Sequence, residues 1–185
     1  MALFEYVNEQ YRSEIDVINL IDYVQRNSYF FDTPFSFSNS PFCLWNQMKF
    51  YKKYYQKYAG NLVRHFVLSF DTSRYENHVT LNNIKSIGYF ISELFCEYQP
   101  IFGIHKNTHH WHLHIVVNTV NIQTGMRLHI DRKNFHNLNK HLAELLSNYK
   151  IALIPYPFYD ERGNLNYGKV PALFLYECKD PYTYK

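Results

Sequence analysis

One segment, His105-Lys-Asn-Thr-His109-His110-Trp-His112-Leu-His114-Ile-Val-Val-Asn118, constrains this chain more than any other. Five of the ten histidines lie within ten consecutive residues and run directly into a β-branched apolar stretch. A strand from Trp111 to Val120 accounts for the pattern, because side chains alternate faces with period two. His110, His112, His114 and Asn118 then share one face, and Trp111, Leu113, Ile115 and Val117 share the other. The second set suits a core. The first places imidazoles two residues apart on a surface that no apolar core would accept.

A lone strand histidine is ordinarily a solvated or hydrogen-bonded side chain. Here His105 closes the preceding apolar run, Pro100 to Ile104, and a short turn brings it beside His112 and His114. Several imidazoles converging on one face, with coordination positions left open, describe a catalytic metal site rather than a closed structural one. Imidazole ligands as such point to zinc, copper, iron or nickel. The cluster is internal and interleaved with core residues, so it is not a purification tag.

A chain of 185 residues is expected to form one domain, residues 1 to 185, with a substantial core. The formal net charge of +3 is compatible with a nucleic-acid partner without requiring one. Aromatic residues are abundant, with 18 Tyr and 15 Phe, so any single tyrosine must be argued from its position. Cys43, Cys96 and Cys178 are odd in number and widely spaced, as free thiols in a reducing compartment would be. There is no signal-peptide pattern and no apolar run long enough to span a bilayer. A cytoplasmic protein with no membrane insertion is expected.

The order of elements predicts an α+β fold, with a largely antiparallel central sheet, helices on one face and the histidines on the open face. Leu3 to Val7 reads as a strand. Ser13 and Asp16 form a capping box for a helix to about Arg26, with Val17, Leu20, Ile21 and Val24 as its stripe. Phe30 to Phe42 reads as a loop or distorted hairpin, and Leu44 to about Tyr58 as a lysine- and tyrosine-rich helix. Leu62 to Phe70 reads as a strand with Val63, His65, Val67 and Ser69 on one side. Thr80 and Asp131 cap two further helices, with a turn at Gln123-Thr124-Gly125 and a short strand to Ile130 between them. Ile151 to Pro155 and Val170 to Tyr176 read as last strands around a Gly163-Asn164 turn.

Three blocks in order resemble the conjugative and mobilisation relaxases of the HUH endonuclease superfamily, nearest the plasmid mobilisation-protein branch. They are Leu20-Ile-Asp-Tyr23-Val-Gln-Arg26, Arg64-His65-Phe-Val-Leu-Ser69-Phe70, and His105-x6-His112-x-His114 followed by Asn118-Thr-Val-Asn121-x-x-Thr-Gly125. The resemblance spans roughly residues 15 to 150. It implies strand-specific nicking and rejoining of single-stranded DNA at a transfer origin, through a 5′-phosphotyrosyl intermediate. Tyr23 becomes the expected nucleophile, with Tyr29 as runner-up. His105, His112 and His114 become the expected ligands of a divalent ion, Mn²⁺ or Mg²⁺, although a purified sample could carry another transition metal. Accessory relaxosome proteins and a coupling protein are the partners such an enzyme implies. The sequence runs only a short way past these blocks, so the large C-terminal extensions common in the family are not expected.

His65 occupies a place where that family has a group that supports a ligand or takes the tyrosine proton. His110 and Asn118 are expected near the metal or a phosphate, and His109 points away. Asn107 stands where many members have an acid; it can orient a neighbour but cannot supply negative charge. Arg26, Lys49, Lys52, Lys53, Arg64 and Ser69 are the expected DNA contacts. On the Leu44–Tyr58 helix, lysines for phosphates interleave with rings for unstacked bases.

Three other readings compete. An HUH replication initiator or transposase would use a tyrosine after the histidine motif, for which Tyr149 is the candidate. A non-catalytic DNA-binding mobilisation accessory could retain the fold alone. An unrelated metallohydrolase needs a carboxylate base near the metal, and no Asp or Glu lies between Tyr98 and Ile130.

Overall fold

In a computed structural model of the protein, residues 2–71, 79–107, 110–154, 158–159 and 165–166 are described. Among the described residues, seven strands and four α-helices follow one another as β1 (Ala2–Tyr6), α1 (Glu14–Gln25), β2 (Phe30–Asp32), α2 (Pro41–Tyr54), β3 (Val63–Phe70), α3 (Leu81–Leu94), β4 (Ile101–Asn107), β5 (His110–Asn118), α4 (Arg132–Asn148), β6 (Phe158–Tyr159) and β7 (Leu165–Asn166). The first five strands in space form one antiparallel sheet in the order β1-β3-β5-β4-β2, and β6 and β7 pair separately. The α+β class and the antiparallel sheet expected from the sequence are present. Among the described residues no helix is long and apolar enough to cross a membrane.

Local chemistry sets the helix starts. Ser13 and Asp16 form a reciprocal capping box at α1, and Thr80 and Asp131 accept from the backbone amides of Asn83 and Asn134. The helix expected from Leu44 begins earlier, at Pro41, whose fixed φ suits a first turn and whose missing N–H would have had no helical partner. It stops at Tyr54, and Tyr58 lies beyond it.

Two segments differ from expectation at the sheet margin. Phe30–Asp32, part of the stretch expected as a loop or distorted hairpin, is a short edge strand paired with β4. The strand expected before Ile130 is reduced to a single bridge between Val120 and Arg127. Beyond α4 the chain returns to the outer edge of β1, where Ala2 donates to Ala152 O (2.8 Å) and Ile154 donates to Ala2 O (2.7 Å). That pairing satisfies an edge that would otherwise be open to association. His109, Cys178, the Gly163-Asn164 turn and the Val170–Tyr176 strand lie outside the described residues.

The sheet separates two cores. On one face Phe66, Leu68, Phe70, Leu113, Ile115 and Val117 pack with α3 and α4. On the other, Val63, Ile101 and Val116 pack with Val17, Leu20, Ile21 and Val24 of α1 and Leu44, Trp45 and Met48 of α2. The histidine face is therefore not open, and helices cover both sides of the sheet. The reason lies in the sequence of that face, which is histidine-rich at one end and apolar at the other. Val63, Ile101 and Val116 need a cover, and each fully buried side chain of that kind contributes about 1.5–3 kcal/mol.

Candidate active site

Strand register brings the histidines together before any side-chain detail is considered. His105 stands opposite His112 on β4 and β5, Gly103 stands opposite His114, and on β3 Ser69 is opposite His112 and Val67 opposite His114. Directly paired residues project to the same side of an antiparallel sheet. His65, Ser69, His105, His112 and His114 therefore share a face, and all five are buried. The His105 and His114 ring centroids are 4.6 Å apart, those of His65 and His114 are 5.4 Å apart, and those of His112 and His114 are 6.3 Å apart.

α1 closes over this cluster. Gly103 makes the approach possible: a Cβ there would sit 2.8 Å from Val24 Cγ1 and closer still to Val24 O. With hydrogen in place of a side chain, the last turn of α1 lies against β4, and Tyr23 reaches the imidazoles. Its ring meets His105 at 5.3 Å with planes at 75°, and His114 at 5.4 Å with planes at 90°. Tyr23 is half-buried. Tyr29 is instead largely exposed and packs edge-on against Trp111 at 5.1 Å. Tyr149 packs against the core on the opposite face of the sheet.

Each imidazole is held by a defined partner. Ser69 Oγ lies 3.0 Å from His112 Nδ1. His65 Nε2 lies 3.1 Å from His114 Nδ1, and His65 Nδ1 lies 3.1 Å from the Tyr11 hydroxyl. His105 Nε2 donates to Val24 O at 2.9 Å. Burial first, and then the charge on His105, pushes His65 down to about 3. Burial, then the neighbouring His65, His105 and His112, hold His114 well below the usual imidazole range. Both rings are thus neutral at neutral pH, the state in which an imidazole nitrogen can bind a cation.

The donor set suits a divalent metal in its chemistry. His112 and His114 are each engaged through Nδ1, the outer-partner pattern that orients a ring for ligation through Nε2. His105 differs, because its Nε2 is on Val24 O. Among the described residues, no group of three His, Cys, Asp or Glu side chains stands ready as a ligand set with the rings in these positions. Ligation by all three histidines therefore requires His105 to use its other nitrogen or to leave Val24.

The remaining expected site residues disperse. His110 is buried on the same face at the turn end of β5, in register with Asn107, whose side chain lies outside the described residues. Asn118 sits at the far end of β5, where it accepts from Lys52 and donates to Gln99 Oε1 at 2.9 Å. Lys52 is fully buried and also donates to Leu62 O and to Thr119 Oγ1 (3.0 Å). Burial, then the charge of Arg127, lowers it to about 7. Both residues tie α2 to the sheet, and the expectation that Lys52 meets DNA is corrected. Lys49 pairs with Glu14, which also accepts from Tyr58 (2.6 Å) and Trp45 (3.2 Å). Those three bonds, led by that of Lys49, hold Glu14 at about 2. Arg26 pairs with Asp22 at the end of α1, and Arg64 lies against Tyr6 on the opposite face of the sheet. Ser69, expected at DNA, is buried behind His112. Lys53 is exposed.

Sequence reasoning missed Tyr11, Gly103 and the carbonyl of Val24. Tyr11 lies outside any periodic pattern, and all three act through distances set only by the packed fold.

Comparison with known proteins shows the family and the fold. A family model described as relaxase, MobA/VirD2-like, nuclease domain, matches residues 27–151. Among solved structures, the chain is similar to the MobM relaxase domain (MOBV; Mob_Pre) bound to 26-nucleotide pMV158 oriT DNA. The identity is 15%, the TM-score is 0.53, and the match covers 90% of this chain and 91% of that one. It is also similar to a structure described as the molecular basis of vancomycin resistance transfer in Staphylococcus aureus. There the identity is 11% and the TM-score 0.56, over 85% of this chain and 100% of the other. At these identities the likeness is one of fold. No curated protein matches the sequence.

Proposed function

The chain belongs to the MobA/VirD2-like relaxase family by its nuclease domain, and from that premise we propose that it nicks and rejoins one DNA strand at a transfer origin of a plasmid or conjugative element. One observation carries the reading: Tyr23, half-buried at the end of α1, stands edge-on to both His105 and His114. Of eighteen tyrosines, this is the one the resemblance selects, and its position is where a nucleophile beside a metal site belongs.

The chemistry is a transesterification. The Tyr23 hydroxyl oxygen bonds to the scissile phosphorus, the bond from phosphorus to the 3′ oxygen breaks, and the 3′-hydroxyl receives a proton. The product is a 5′-phosphotyrosyl link, and because the phosphodiester is exchanged rather than hydrolysed, the 3′-hydroxyl can reverse the step. A free phenol has a pKa of about 10, so placement and proton removal are what the site must supply. His105, His112 and His114 would hold a divalent ion, Mn²⁺ or Mg²⁺, which supplies charge neutralisation and orientation at a non-bridging phosphate oxygen. Both nitrogens of His65 are engaged, with Tyr11 and with His114. That supports a role in holding His114 rather than in taking the Tyr23 proton directly.

For the DNA strand, residues 33–70 contain no Asp or Glu, and Lys53 and Lys57 are exposed there. A groove of about 500 Å³ beside α2 is lined by Phe35, Phe37, Phe50, Tyr51 and Gln99, and Phe37 and Phe50 are exposed. Exposed rings for unstacked bases with Lys53 and Lys57 for phosphates are the two components of single-strand binding. Accessory relaxosome proteins and a coupling protein would assemble around the same origin.

The decisive experiment incubates labelled single-stranded transfer-origin oligonucleotides with the protein in Mn²⁺ or EDTA and resolves adducts on denaturing gels. An Mn²⁺-dependent adduct lost in Tyr23→Phe and kept in Tyr149→Phe is expected. The opposite pattern places the chain with initiators or transposases, and tight binding without any adduct makes it a non-catalytic accessory.

A further inference from the structure

Behind His114 lies a chain of hydrogen bonds that reaches the surface. Tyr11 is buried, and its hydroxyl donates to Glu9 Oε2 at 3.2 Å. The same hydroxyl oxygen lies 3.1 Å from His65 Nδ1, and His65 Nε2 lies 3.1 Å from His114 Nδ1. The backbone holds this arrangement from both sides: Leu62 donates to Tyr11 O at 2.8 Å, and Val7 donates to His65 O at 3.0 Å. Tyr11 is thereby fixed to the start of β3, the strand paired directly with β5 and its His112 and His114.

A chain of this kind has two directions and no intermediate. A neutral imidazole carries one N–H and one lone pair. If Tyr11 gives its proton to His65, then His65 Nε2 must donate to His114 Nδ1, and the His114 proton sits on Nε2. If His65 Nδ1 donates to the Tyr11 oxygen, His65 Nε2 accepts from His114 Nδ1–H, and the His114 lone pair sits on Nε2. Only the second arrangement leaves His114 Nε2 able to bind a cation, and the direction of the Tyr11 hydroxyl decides between them. A carboxylate oxygen accepts and does not donate, so Glu9 takes the Tyr11 proton and forces the second arrangement.

We propose that Glu9 and Tyr11 are positioning residues that set the His114 tautomer through His65, so that Nε2 faces the pocket with its lone pair. This deepens the proposed function, because it rests on His114 as a ligand. The group behind the ligand is a neutral histidine, and the negative charge that such a position ordinarily carries stands two hydrogen bonds further out, on Glu9.

The test uses metal-free, DNA-free full-length protein labelled with ¹⁵N-histidine, and long-range ¹H–¹⁵N correlation spectra at neutral pH report the tautomer of each ring. Signals are assigned with His65→Ala and His114→Ala. In the unaltered protein His114 is expected as the Nδ1–H tautomer. In Tyr11→Phe, and in Glu9→Ala, whose altered side chain is at the surface and leaves the core intact, the Nε2–H tautomer is expected to appear. Titration with Mn²⁺ alone should show a dissociation constant raised about tenfold or more in both variants. An Nε2–H tautomer in the unaltered protein overturns the proposal, as does a tautomer or Mn²⁺ affinity unchanged in both variants. Because the spectra involve no DNA, a failed nicking assay leaves this result standing and the reverse is also true.

Discussion

Tyr23 and His114 stand at right angles, ring centroids 5.4 Å apart, although they come from a helix and a strand more than ninety residues apart in the chain. The pairing is a product of helix docking, and its geometry decides what the tyrosine hydroxyl can meet. Removing only that hydroxyl should therefore separate chemistry from architecture. In Tyr23→Phe, covalent adduct should fall below detection while stability changes by about 1 kcal/mol or less and oligonucleotide affinity holds. Adduct formation at the original rate would remove Tyr23 from the reaction.

Gly103 is the contact through which α1 reaches the sheet. Gly103→Ala must push Val24 away, at a cost of about 1–3 kcal/mol, and carries Tyr23 with it. Urea unfolding measures the first effect and adduct yield per folded molecule the second. Normal yield from a destabilised protein would mean that the Tyr23–His114 geometry is not what limits the reaction.

Acid should destabilise the metal-free protein earlier than its carboxylates alone would. His65 is held at about 3 when folded and takes a proton near its ordinary 6.5 when unfolded. Its contribution is fully present above 6.5 and is lost as pH falls from there towards 3, by about 1.4 kcal/mol per pH unit for each such ring. His114, shifted in the same direction, adds to the slope. The contribution of Glu14, lowered from 4.5 to about 2, is fully present above pH 4.5 and is lost only as pH falls below that. Urea midpoints at pH 7 and pH 5 should differ, and His65→Asn should shrink the difference.

The lysines of α2 and its exit should behave as separate classes. Lys53→Ala and Lys57→Ala should each flatten the salt dependence of single-strand binding, by about 0.7 in the log–log slope per lost phosphate contact. Lys49→Ala should change it less, since Lys49 is engaged with Glu14. Lys52→Met should leave the slope alone and instead lower stability by about 1–3 kcal/mol, because buried acceptors lose their donor. A slope change in Lys52→Met matching that of Lys53→Ala would contradict its burial.

Phe37→Ala tests the groove beside α2. A base stacked on that ring is worth about 1–3 kcal/mol, so affinity for a single-stranded oligonucleotide should fall by roughly tenfold or more with the fold unchanged. Unaltered affinity would take the groove out of the DNA path.

Much of the site was legible because period-two alternation is a local property. His112, His114 and Asn118 lie on the face that the pattern predicts, and His65 and Ser69 join them from β3. The α1 capping box was equally local. What the pattern could not show was depth. Ser69 was placed on the right face and assigned to DNA, whereas the strand pairing puts it behind His112. Lys52 carried a readable warning: it follows Leu44 by eight and Met48 by four, on the buried stripe rather than the solvated one. Tyr11 and Glu9 carried none, since an irregular connection has no period and their value comes from the strand they rest on.

His105 donates to Val24 O, one of the carbonyls that the end of a helix leaves without an internal partner. The imidazole therefore works as a latch on the last turn of α1, the turn that carries Tyr23. Any event that rotates His105 away from Val24 also removes one tie on the turn that carries Tyr23. What His105 holds and where Tyr23 sits are thereby joined through one backbone carbonyl.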